Sequence, residues 1–149
     1  SYLNLVRLGV PEEDISTILM ADHGLKLYGN AVIVNTDYAK NNSDMVKKFL
    51  VAIGAGWRDA IKDPKAAAAA LVKRNPAADA ALEQRRLQLA IDANVLTDYV
   101  KSNGMGGIDS SRFAAAIEQL SETYEYKAAP NAALYFTDKH LPASGISLN

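Results

Sequence analysis

From Ser43 onward, apolar residues fall at Val46, Phe49, Leu50, Ile53, Trp57 and Ile61. This is the i, i+3, i+4, i+7 spacing that lines one face of an α-helix. A strand cannot use it, because strand side chains change face at every residue. The run therefore commits the middle of the chain to a helix that must bury a stripe against something else. Ser43 is placed to cap it. Asp63 then caps a second helix, with Pro64 at its first position, where a missing N–H is no loss. Ala66 to Ala70 and Leu71 follow with high helix propensity. Asn75-Pro76 repeats the start signal and predicts a third helix running to about Ala93. After a glycine loop over Ser102 to Gly107, Asp109 can cap a helix with Phe113, Ala116, Ile117, Leu120 and Tyr124 on one face. These segments differ in length and apolar spacing, so they are not a repeat.

The first 35 residues read differently. Tyr2 to Leu8 is expected to be helical and to close at Gly9-Val10-Pro11. Ile15 to Met20 and Ala31 to Asn35 have the β-branched character of strands. Between them lies the loop Ala21 to Asn30, with two glycines. The fold class is thus α/β and helix-rich. Two strands with open edges need covering, and dimerisation or swapping with a second copy would cover them. After Pro130 the apolar residues Leu134, Tyr135, Phe136 and Leu141 describe a tail that docks on a neighbouring surface, with a partner outside this chain as one alternative.

Length and charge exclude several functions. The 149 residues suit a single domain with one core. Sixteen Lys and Arg against seventeen Asp and Glu give no positive field to attract a phosphate backbone, so nucleic acid is not expected as a partner. Without cysteine there is no zinc-thiolate site, thiol catalysis or disulfide, which suits the cytosol and the bacterial periplasm equally. No apolar run approaches the roughly 20 residues that span a bilayer. The chain opens without Met in an apolar segment, and is read as part of a longer protein.

Four residues are candidate ligand contacts. Asp22 offers a carboxylate to a ligand amine or amide, against the plainer role of bonding its own loop backbone. His23 beside it could bind a ligand, although no His, Asp or Glu set here has metal-ligand spacing. Tyr28 could present a ring and a hydroxyl, and Asn30 an amide; both could equally support the second strand. Trp57 lies on the first helical stripe and is assigned to the core. Gly104, Gly106 and Gly107 resemble a phosphate loop, but lack the preceding strand and the following Lys-Ser/Thr. Glu118, Glu122 and Glu125 with Asp109 and Lys127, and the pair Arg85-Arg86, are read as solvated helix faces.

Several short pieces occur in a telling order: Ala21-Asp22-His23-Gly24, Tyr28-Gly29, Asn41 to Ala52, Gly56-Trp57, Asp63-Pro64-Lys65-Ala66, Asn75-Pro76, Gly104 to Asp109, Tyr135-Phe136-Thr137 and Leu141-Pro142. In this order the chain resembles the C-terminal part of periplasmic solute-binding proteins of the nitrate, sulfonate, taurine and thiamine-pyrimidine ABC-importer family. Asn42 stands where that family often has Pro. The resemblance implies the second lobe and C-terminal helices of a two-lobe (type II) periplasmic-binding-protein fold. It implies a small-molecule ligand held between lobes and an ABC permease in the inner membrane as partner. The implied location is the periplasm, or a lipid anchor on the outer face of the cytoplasmic membrane. No catalysis, cofactor or metal is implied, and an acidic residue near Asp22 is what pyrimidine-binding members use. Two alternatives stand beside it: a thiamine-pyrimidine biosynthesis enzyme on the same scaffold, which would need a pyridoxal-phosphate lysine and a histidine-rich site, and a freestanding helical interaction domain.

Overall fold

The computed structural model describes residues 2–128 and 130–148. It is helix-rich, in the order α1 Tyr2–Arg7, α2 Thr36–Asn41, α3 Ser43–Lys62, α4 Pro64–Arg74, α5 Ala80–Ala90, α6 Asp98–Asn103, α7 Ser110–Tyr124 and α8 Ala132–Tyr135. Most of these helices begin where a side chain accepts an otherwise orphaned N–H. Asn35 Oδ1 accepts from Asp37 and Tyr38, Asp63 from Ala66, Asp79 from Leu82, Thr97 from Val100 and Asp109 from Arg112. Pro64 at the first position of α4 agrees with the sequence reading.

Two expected starts move. Ser43 is the first residue of α3 and not its cap; Asn42 holds the cap position without a side-chain bond, and the Ser43 hydroxyl lies 3.3 Å from His140 Nδ1. Asn75-Pro76 makes a turn, and the third long helix begins four residues later, because Asp79 offers the better cap. That helix ends as a π-helical turn, Ile91–Val95, wound around Ile91, which is only 2% exposed. A π turn stays local by fitting one extra residue into the helical ladder.

α4 packs against both α3 and α5, so the three form one helical layer. α1 is tied to α5 through Arg86, which bonds both Glu83 and Asn4, and indirectly through Glu12, which accepts from the Tyr2 hydroxyl and lies 3.0 Å from Arg85. The C-terminal tail docks within the chain. Ile146 exchanges two backbone bonds with Met105, Arg58 donates to the Ser147 carbonyl at 2.8 Å, and His140, Ile146 and Leu148 are buried. The approach depends on glycine. A Cβ at Gly54 of α3 would overlap Ile146, and Gly104 takes a left-handed φ of 74° where a side chain would strike the Gly145 backbone at 2.9 Å.

The expected strands are the main departure. Residues 15–19 and 31–35 lie outside the helices, with extended backbone at Ile15, Leu19 and Asn35, but among the described residues they join no ladder; the single bridge found there is Met105 to Ile146. A strand acquires its hydrogen bonds only from a neighbour, so β character in the sequence becomes a sheet only where a partner is present. The side chains are equally uncovered: Ile18 is 67% exposed and Ile33 93%. Phe49, expected on the buried stripe of α3, is 55% exposed, and Trp57 is half-buried at a cleft and not sealed in a core. The accessible surface is 11167 Å². A compact monomer of this mass would expose about 7,400 Å². The surplus, roughly 3,800 Å², is several times the ~800 Å² that each partner buries in an ordinary interface.

Candidate functional site

The four candidate residues all lie on the segment from Met20 to Asn30. It opens with a 3-10 turn, Met20–His23, closed by Gly24 at φ 95°. That left-handed conformation is open to glycine at no steric cost, and it turns the chain so that residues 24–28 run back along α7. Asp22 and His23 are exposed on the turn, Asn30 is exposed at the far end, and none of the three has a side-chain hydrogen bond or ion pair within the described residues.

α7 holds this segment from behind. Arg112 Nε donates to the Lys26 carbonyl at 2.8 Å and Nη2 to the Leu27 carbonyl at 2.9 Å, while Gln119 Nε2 reaches the Gly24 carbonyl at 3.2 Å. The Arg112 guanidinium lies 4.4 Å from the Tyr28 ring centroid, within the range of a cation–π contact. Phe113 meets the same ring edge-on at 6.1 Å, and Phe136 packs beyond it at 6.3 Å. The Tyr28 hydroxyl accepts the Asp109 N–H at 2.8 Å.

Tyr28 is therefore a structural anchor: its hydroxyl satisfies an orphan donor at the start of α7, and its ring is held between Arg112 and Phe113. Asp22, His23 and Asn30 retain free polar atoms, offering an anionic acceptor, an imidazole and an amide. Asp22 and His23 are neighbours on the turn, and Asn30 stands apart from them at the other end of the segment. No nucleophile-base pair is assembled there, and among the described residues no group of three His, Asp or Glu is placed to hold a metal ion. Asp109 completes the frame. Bonds from the Ser111 hydroxyl and from the Arg112 N–H hold its carboxyl below the ordinary aspartate range.

Arg112 was not singled out by sequence. The available signal was local: an Arg three residues after the helix cap, beside an aromatic residue at position 113. Two clefts were also invisible to it. One, of about 570 Å³, lies between α3, α4 and α5 and is lined by Ile53, Trp57, Leu71 and Leu87 with the paired Glu83 and Arg86. The other, of about 560 Å³, lies between α7 and the segment that follows it.

Residues 2–67 match the protein-family model described as NMT1/THI5 like. This is the family that the sequence resemblance pointed to, and the matched stretch includes the whole of the 20–30 segment and the whole of α3. A search of curated proteins found no match, and a search of solved structures found none. Among the described residues, no helix is long and apolar enough to cross a membrane.

Proposed function

We propose that this chain is part of a solute-binding protein that works outside the cytoplasmic membrane, capturing a small organic or anionic solute, of the sulfonate, nitrate or pyrimidine kind, and delivering it to an ABC permease in that membrane. The observation that carries the reading is the family match over residues 2–67, which contains the exposed polar segment. Asp22, His23 and Asn30 form one wall of the ligand cleft, and Tyr28, Arg112 and Gln119 fix that wall to α7, so little order has to be gained when ligand arrives. The opposing wall belongs to a second lobe, whose strands pair with residues 15–19 and 31–35. The surplus surface supports that lobe, since it is too large to leave bare. Closure of the two lobes encloses the ligand, and the closed form is what the permease receives. No bond is made or broken.

The test is to isolate the protein from the cells that make it and record a native mass spectrum, after crosslinking to membrane partners. The expected result is an assembly heavier than 16.0 kDa that carries a small-molecule mass and a crosslinked ABC permease. A bare 16.0 kDa species without ligand or permease would reject the proposal.

A further inference from the structure

The second cleft has a chemistry of its own. Phe113, Ile117 and Leu120 of α7 line it as half-buried apolar side chains, together with Pro130, while Tyr126, Lys127 and Tyr135 line it as exposed ones. At about 560 Å³ it falls within the usual range for small-ligand sites. The Tyr126 and Tyr135 hydroxyls and the Lys127 ammonium have no hydrogen-bond or ion-pair partner among the described residues. Among the described residues no Asp or Glu lines the cleft; Glu118, Glu122 and Glu125 are exposed outside it. The apolar surface is thus met by free donors of one positive charge. In the α3–α4–α5 cleft, by contrast, Arg86 is already neutralised by Glu83.

We propose that this cleft is a binding site for a planar aromatic carboxylate. The ring takes the aromatic and aliphatic surface of Phe113, Ile117, Leu120 and Tyr135. The carboxylate accepts from Lys127 and from the phenol hydroxyls, in charge-assisted bonds that a neutral analogue lacks. A single ammonium suits a monoanion. The site is separate from Asp22, His23 and Asn30, so its success or failure does not depend on the solute-binding reading.

The 149-residue chain is titrated with 2-naphthoate, followed by naphthalene fluorescence and calorimetry, and with 2-naphthalenemethanol as the neutral isostere. One equivalent of naphthoate is expected to bind, with the alcohol weaker by about five-fold, the scale of one exposed charge contact. Lys127→Gln alters an exposed side chain and is expected to weaken naphthoate to a similar extent while leaving the helical circular dichroism unchanged. Ile33→Ser, on the bare extended segment, should leave naphthoate binding as it was. The proposal is overturned if acid and alcohol bind alike, if Lys127→Gln binds as the parent does, if Ile33→Ser abolishes binding, or if naphthoate does not bind at millimolar concentration.

Discussion

Residues 15–35 and the helical layer α3 to α5 obey the same physical rules and arrive at opposite results. In the helices each backbone group finds its partner four residues away, and Asp63 and Asp79 satisfy N–H groups at the ends. At residues 16–19 and 31–34 most of the same groups await a neighbouring strand that the described residues do not supply, and Ile18, Leu19, Val32 and Ile33 stand in solvent. A helix is complete within its own sequence. A strand is a half-made interface.

The contrast should break most visibly under proline. Ala52 lies inside α3 on its exposed side, and Ala52→Pro removes an intrahelical bond, an expected loss of about 3 kcal/mol or more in urea unfolding. Ile33→Pro removes a donor that has no partner among the described residues, and is expected to change stability by less than about 0.5 kcal/mol. Equal losses would show that residues 31–35 are paired in solution. Next in size is the tail. Gly54→Val puts a side chain where Ile146 lies against α3; the overlap outweighs the gain in helix propensity and costs about 1–2 kcal/mol, read from the thermal midpoint. An unchanged midpoint would mean that the tail is not held there.

The capping aspartates test the local origin of the helices more gently. Asp79→Ala should cost about 1 kcal/mol and fray the start of α5, seen as faster amide exchange at Leu82. The smallest effect expected is the pH dependence at Asp109. Its carboxyl titrates below its ordinary value of 3.8 because Ser111 and Arg112 donate to the charged form. A lowered folded pKa stabilises above the unfolded value and is lost as pH falls through the folded one. The urea midpoint of the parent should therefore drop more between pH 5 and pH 3 than that of Asp109→Asn, whose amide cannot titrate.

What the sequence revealed divides along the same line. Asp63-Pro64, Asp109 and the α3 stripe were legible because cap, proline and spacing act within a few residues. Asn75-Pro76 misled because Asp79 competes as a cap only four residues on, and α2, α6 and α8 are too short to show a period. Ile15 to Met20 and Ala31 to Asn35 were legible as extended, but whether an extended segment pairs is decided by atoms far away in the chain or outside it. Tyr28 was found as a candidate contact or support, but its partner was not, since its hydroxyl bonds Asp109, 81 residues away. Arg112 was missed because its carbonyl partners, Lys26 and Leu27, are equally remote. The tail was legible as a docking segment, but its seat against Gly54 and Ser43 is a long-range contact of the same kind, and it is Ile146 and Leu148 that are buried while Leu134 and Tyr135 stay exposed.

Hydrogen exchange followed by mass spectrometry on the 149-residue chain tests the contrast most directly. Amides of residues 16–19 and 31–35 are expected to exchange at nearly the unfolded rate, while the interiors of α3, α5 and α7 are protected by several orders of magnitude. Protection of residues 31–35 equal to that of α3 would contradict the open edge and show that those strands already have their partner.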